Sequence, residues 1–327
     1  MTSALQILRA GPQMTVQDLG RAALTAQGLA TGGAADRTAL AEAAALLNLG
    51  QFPAAIEMAG MGGDFAVTQP MRIALTGAPM RAKIDGKEIG WNQTHLLLPG
   101  QRLSIGGAFS GVYGYLTTAG GIATEPVLGS RSAHLVGNIG RILAAGDGLI
   151  LRQDRTPTAP PVRISPEPRF SGGPVRMMPG PQTGLFEEAE LARFLTAEFV
   201  RGAASNRQGV RLEHEGAPFQ AGEAAGLASD FIAVGDVQMT GDGVPYVLLS
   251  ECQTMGGYPR IGTVVGADLP RIAQLPLGGR VQFTLLSVAE ADRLYRTPAQ
   301  LIAEAKTRVA PLVRDPSGIS DLLGYQL

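Results

Sequence analysis

The sequence predicts a mainly β fold organised in two halves. Three observations predict it. Short runs rich in Val, Ile, Leu and Thr, each bounded by Gly or Pro, recur along the whole chain. Glycine (44) and proline (22) are both abundant, which suits a fold with many turns. The stretch "QDRTPTAPPVRISPEPRFSGGP" (153–174) holds six prolines and little apolar periodicity, and reads as an extended connector. It divides 327 residues almost in half, and a single core seldom grows past about 250–300 residues. The expected domains are therefore 1–155 and 175–327, joined through 156–174.

The elements follow in order. Strands are expected at 5–9, 72–76, 94–98 and 114–118 in the first half, and at 175–178, 245–249, 262–265 and 280–286 in the second. A helix is expected over 36–50, with Asp36 as N-cap, Gly50 past its end, and Leu40, Ala43, Ala44 and Leu47 on one face. Ser287 with Glu290 and Thr297 with Gln300 each fit a capping box, and Pro298 suits a first helical position. They predict short helices over 288–296 and 298–309. Strands and helices do not alternate as βαβ units, which argues against a Rossmann or TIM-barrel fold. The halves echo each other: "LQILRAGPQ" (5–13) is followed late by "LPGQRLSIGG" (98–107), and "VRMMPGPQ" (175–182) by "LPLGGRVQFTLL" (275–286). Such an echo suggests two similar β domains.

Composition narrows the function. A formal net charge of −1 without long runs of one sign argues against nucleic acid or an anionic membrane as main partner. The 24 arginines against 3 lysines read first as genome composition. A single cysteine precludes an intrachain disulfide and suits a reducing compartment. With no signal-like start and no apolar run near 18 residues, a cytoplasmic location is expected. His95, His134 and His214 are far apart and have no partner at ligand spacing, so no metal site is expected. The lysines lie in "AKI", "GKE" and "AKT"; this leaves no P-loop and no Met-Lys-Met biotin site.

Three polar stretches remain. In "TVQDLGR" (15–21), Asp18 and Arg21 either pair or each face a ligand. In "ASNRQGVR" (204–211), Arg207 either grips a carboxylate bidentately or ties down its own loop. "SECQTMGGYPR" (250–260) carries the lone thiol, Cys252, ahead of Gly256, Gly257 and Tyr258. A nucleophilic thiol needs a base and an electropositive setting. Cys252 instead adjoins Glu251, and strand alternation would turn the two to opposite faces. The glycine pair is the better candidate, as a turn or a place of close approach.

Taken together, these motifs resemble the C subunit of the bacterial ATP-dependent 5-oxoprolinase, the PxpC/KipA family, itself similar to one half of the carboxyltransferase region of urea carboxylase. The resemblance rests on "TVQDLGR" (15–21), "GYLTTAGGI" (114–122), "VLGSRSAHL" (127–135), "GPQTGLF" (180–186), "SNRQGVRL" (205–212), "QTMGGYPRIGTV" (253–264), "ADLPRIAQL" (267–275) and "GGRVQF" (278–283). It implies two cyclophilin-like β-barrel domains with a few short helices. It also implies partner subunits: an inhibitor-like (PxpB/KipI-type) one and a LamB/YcsF-type (PxpA) one. The implied reaction opens 5-oxoproline to glutamate with ATP, bound without a P-loop. Under this resemblance Asp18, Arg21, Arg207, Gln253 and Thr254 are candidate catalytic residues. Asn206, Gly256, Gly257 and Tyr258 are candidate substrate-binding residues, with Arg207 on the substrate carboxylate and the Gly256–Gly257 amides on an oxyanion.

The chain departs from the family pattern in loops. "GLATGGAAD" (28–36) has Ala30, Gly32 and Ala35 where the family has Pro, Ser and Met. Gln208 stands in Arg-Met-Gly, Met239-Thr240 in Gln-Val-Pro, and Glu251 for the Asp before x-Gln-Thr. These changes bear on substrate more than on fold. Two alternatives stay open: a carboxyltransferase module using carboxybiotin on a separate protein, and a non-enzymatic regulator that binds a kinase-inhibitor-like partner.

Overall fold

The computed structural model describes residues 3–220, 222 and 227–312. The chain is mainly β. In the first half the strands build two sheets around one core. A six-stranded sheet runs in the order Gly148–Ile150, Ala4–Arg9, Asp64–Val67, Leu103–Ala108, Met80–Ile84, Lys87–Ile89. The second sheet begins Thr15–Gln17, Ala55–Ala59, Tyr113–Thr118, Met71–Gly77, Gln93–Leu97. Leu5, Ile7, Phe65 and Ile105 of the first sheet meet Ile56, Met58, Ile73 and Leu116 of the second, all essentially without solvent exposure. Alternate residues of each strand supply that layer, as the pleat requires.

The second half closes seven strands into a barrel: Gly172–Met178, Arg260–Val264, Asp236–Met239, Pro245–Leu248, Gly209–Glu213, Phe199–Arg201 and Arg280–Leu285. Closure comes from the parallel pairing of Gly172–Met178 with Arg280–Leu285. Val175, Met177, Val210, Leu212, Val237, Val247, Ile261 and Phe283 fill the core, and Phe194 stacks on Phe283 with ring centroids 5.1 Å apart. Ala39, Leu40, Tyr113 and Tyr115 of the first half belong to the same apolar cluster.

Among the described residues five α-helices form, all short: α1 (Arg37–Leu46), α2 (Glu188–Thr196), α3 (Leu269–Ala273), α4 (Val288–Leu294) and α5 (Pro298–Lys306). Asp36 caps α1 by accepting a hydrogen bond from the Ala39 amide at 3.0 Å. Both capping boxes form, at Ser287/Glu290 and at Thr297/Gln300. α1 ends before Gly50, because Asn48 already takes a left-handed conformation (φ 53°).

The proline-rich connector is tied down. Val162–Ile164 pairs with Gln93 of the first-half sheet on one side and with Val309–Pro311 on the other. The last described strand thus returns to the first half, and α5 packs with it: Ile302 and Ala305 bury against Ala41, Ala44 and Ala45 of α1. Arg169 of the connector donates to Asp36 at 2.7 Å and to Glu42 at 2.7 Å, all three buried. Residues 313–327, part of the expected second domain, lie outside the described residues.

Candidate functional site

Strand alternation divides the barrel wall. Val210 and Leu212 point inward, so Arg211 between them points out; Gln238 lies likewise between Val237 and Met239, and Tyr246 precedes inward Val247. Register then sets these three side by side, because Arg211 pairs with Tyr246 and Tyr246 with Gln238. Laterally paired residues share a face. This row floors a pocket of about 340 Å³ on the outer wall of the barrel. Asn206 and Gln208 border it from the loop before Gly209–Glu213, and Gln253 and Tyr258 from the turn after Pro245–Leu248. Its volume lies within the range of small-ligand sites.

The lining combines side-chain amides, the Tyr246 and Tyr258 hydroxyls, the Arg211 guanidinium and the Asp242 carboxylate. Arg211 donates to the Tyr246 hydroxyl at 3.2 Å and lies 3.4 Å from Glu213, while remaining half-exposed. The Gln238 side chain is buried, and among the described residues its Nε2 has no hydrogen-bond partner. A Cβ on Gly256 would come within 3.0 Å of that nitrogen, so the glycine leaves the amide its room. Gly256 itself pairs with Asp230 in a two-stranded ladder, and neither it nor Gly257 has a positive φ. Thr254 is buried, and its carbonyl accepts from Ile232 at 3.1 Å.

The other candidates lie elsewhere. Arg207 is buried between the halves. It donates to Glu251 at 2.6 Å, to the Gly33 carbonyl at 2.6 Å, to Ser250 at 3.3 Å and to Glu57. Burial disfavours its charge, but Glu57 and Glu251 outweigh that and raise its pKa. Glu57 is also held by the Tyr115 hydroxyl at 2.7 Å and the Ala35 amide at 2.9 Å.

Asp18 and Arg21 are not ion-paired with each other; both hold the 127–132 loop. Asp18 accepts from Ser130 (2.5 Å), Ser132 (2.6 Å), and the amides of Arg131 (2.7 Å) and Gly20 (2.8 Å). Burial pushes its carboxyl up, and those donors reverse the sign and leave it below the usual value. Arg21 donates to the carbonyls of Val127 at 3.0 Å and Ser132 at 2.6 Å.

Cys252 is buried against Ile232 and Leu248. Burial first, and then Asp236, push its thiol up to about 11. The adjacent Glu251 faces away, toward Arg207. The two do face apart, but the strand ends at Leu248, so strand alternation is not the reason.

The structure thus brings Asn206, Gln253 and Tyr258 to one pocket, with Gly256 just behind it. It places Arg207, Asp18 and Arg21 outside that pocket. Sequence reasoning missed Arg211, Gln238 and Tyr246. Their signal was present in "GVRLE" and "PYV", where a polar residue alternates with buried apolar ones. Gln208 and Thr240, two of the departures from the family pattern, also line the pocket.

The carboxyltransferase domain, subdomain A and B, matches residues 27–285. The chain belongs to this carboxyltransferase family. Within it, the chain is 34% identical over 306 residues to the C subunit of 5-oxoprolinase from Escherichia coli, covering 88% of this chain and 93% of that one. It is 32% identical over 296 residues to the protein of the same name from Haemophilus influenzae, covering 89% and 94%. Among solved structures it resembles the urea carboxylase of Kluyveromyces lactis, with a TM-score of 0.79 at 24% identity. That match spans 96% of this chain and 31% of the other, and establishes likeness of fold. Among the described residues no three His, Cys, Asp or Glu side chains cluster to hold a metal ion. Among the same residues no helix is long and apolar enough to cross a membrane.

Proposed function

We propose that this chain is one subunit of an ATP-dependent complex that opens 5-oxoproline to glutamate, with inhibitor-like (PxpB/KipI-type) and LamB/YcsF-type (PxpA) partners, in the cytoplasm. The observation that carries this reading is the outer-wall pocket with amides at Asn206, Gln208, Gln238 and Gln253 and a guanidinium at Arg211. The names of the two 5-oxoprolinase relatives support it. A lactam offers one carbonyl acceptor and one N–H donor, and side-chain amides supply both complements. The substrate carboxylate falls to Arg211, since Arg207 is already occupied by two carboxylates.

A lactam is resonance-stabilised, so ring opening needs an activated carbonyl. ATP supplies the phosphoryl group that activates the carbonyl oxygen. The task of this chain is to hold the ring, orient its carbonyl and donate to the oxygen as charge develops there; of the lining amides, Gln253 is exposed to the pocket and Gln238 lies buried at its floor.

The test is ATP hydrolysis by the reconstituted complex with and without 5-oxoproline. The chain alone should be inactive. Arg211→Gln should raise KM for 5-oxoproline by about 10- to 100-fold, the worth of one charge-assisted hydrogen bond. An unchanged KM would remove Arg211 from the site. The family match also favours a second reading, carboxyl transfer from a separate biotinylated protein. Avidin distinguishes the two, because it blocks the second reaction and leaves the first untouched.

A further inference from the structure

The first half carries a second concavity that shares no lining residue with the outer-wall pocket. It is a cleft of about 950 Å³ between the loop after α1, the turn after Tyr113–Thr118 and the start of the connector. Four arginines line it: Arg72, Arg131, Arg152 and Arg155. Its two acidic groups are already satisfied. Asp154 accepts from the Arg72 guanidinium at 3.0 and 3.1 Å, and Asp18 from the two serines and two amides described above. Arg131 uses only its Nε, on the Thr124 carbonyl at 2.7 Å. Among the described residues, Arg152 and Arg155 have no hydrogen-bond or ion-pair partner for their guanidinium groups, and both are exposed.

The backbones beneath these free groups are pinned. The Arg152 amide donates to the Gly121 carbonyl at 3.1 Å, and Leu151 bridges Ile122. A Cβ on Gly120 would lie 1.7 Å from the Arg152 carbonyl oxygen, so only glycine permits this approach. Arg155 stands between Asp154 and Thr156, which are locked by the Thr156 amide on Asp154 at 2.9 Å and by Arg72 on the Thr156 hydroxyl at 2.5 Å. Three guanidinium groups with unused donors therefore project from fixed points into one cleft, on a chain whose net charge is −1. Guanidinium donors match the tetrahedral oxygens of phosphate. The cleft is at the upper end of small-ligand volumes, large enough for a nucleotide.

We infer that this cleft is a binding site for a phosphate-bearing polyanion, held by Arg131, Arg152 and Arg155. The inference does not depend on the proposed reaction.

Calorimetric titration of the full chain with inorganic tripolyphosphate, ATP and citrate tests it. Tripolyphosphate should bind saturably. The double variant Arg152→Glu/Arg155→Glu should bind it on the order of 100-fold more weakly, with unchanged Tm because both residues are exposed. The milder Arg152→Gln/Arg155→Gln pair should weaken it less. ATP binding tighter than tripolyphosphate makes the ligand a nucleotide, and weaker binding makes it an inorganic phosphate; both support the site. No saturable binding, equal affinity in the double Glu variant, or citrate binding as tightly as tripolyphosphate would overturn the assignment.

Discussion

Arg207 and Glu57, 150 positions apart in sequence, form a buried ion pair between the two halves of the chain. Glu251 completes it from the barrel side. Removing the cation strands two buried carboxylates. Arg207→Met should therefore destabilise the chain by about 3–5 kcal/mol in urea unfolding. Adding Glu57→Gln should recover part of the loss. If Arg207→Met unfolds at the wild-type urea midpoint and only raises KM, Arg207 contacts substrate and the structural role is wrong.

Asp18 gives a pH-dependent contribution. Its folded pKa is depressed, so its stabilisation is complete above the unfolded value near 3.8 and fades as pH falls through the folded value. Asp18→Asn should cost about 2–3 kcal/mol at pH 7, the scale of hydrogen bonds to a charged acceptor. The gap between wild type and variant should narrow as the solution is taken below pH 4. A gap of constant size from pH 7 to pH 3 would contradict the depressed pKa.

Cys252 should be chemically quiet. With its thiol near 11, only about one part in a thousand is thiolate at pH 8. Native protein should react with a thiol reagent far more slowly than urea-unfolded protein, and Cys252→Ser should retain turnover. A dead Cys252→Ser complex with normal Tm would restore the thiol as a nucleophile.

Gln238 sets stability against function. Its buried Nε2 has no partner among the described residues. A buried unsatisfied amide costs about 1–3 kcal/mol, so Gln238→Leu should leave Tm unchanged or raise it. The same variant should lower 5-oxoproline-dependent ATP hydrolysis at least about tenfold. Full activity in a stabilised variant would show that Gln238 does not face substrate.

What the sequence made legible was local. The caps at Asp36, Ser287 and Thr297 formed because a cap needs only residues three apart. Strands expected from short runs rich in Val, Ile, Leu and Thr formed too, such as Met71–Gly77 and Arg280–Leu285. What was not legible depended on distant pairing. The Arg211–Tyr246–Gln238 row exists only because three strands adopt one register. Arg207 had two readings on sequence, and neither included Glu57, because nothing near position 207 announces a partner 150 residues away. Proline content predicted an extended connector, and Val162–Ile164 is extended; that it pairs as a strand was not legible, because its partners come from 93 and from 309–311.

That returning strand has a consequence for the making of the protein. Val309–Pro311 forms the outer edge of a sheet whose other strands are all complete by Ile164. At about 5–20 residues per second of synthesis, roughly 7–30 seconds pass between the emergence of residue 164 and that of residue 309. During that interval the nascent first half presents an unpaired sheet edge. Translation speed across the barrel-coding region, a property of the message and not of the folded product, thereby sets how long a growing chain is open to pairing with its neighbours.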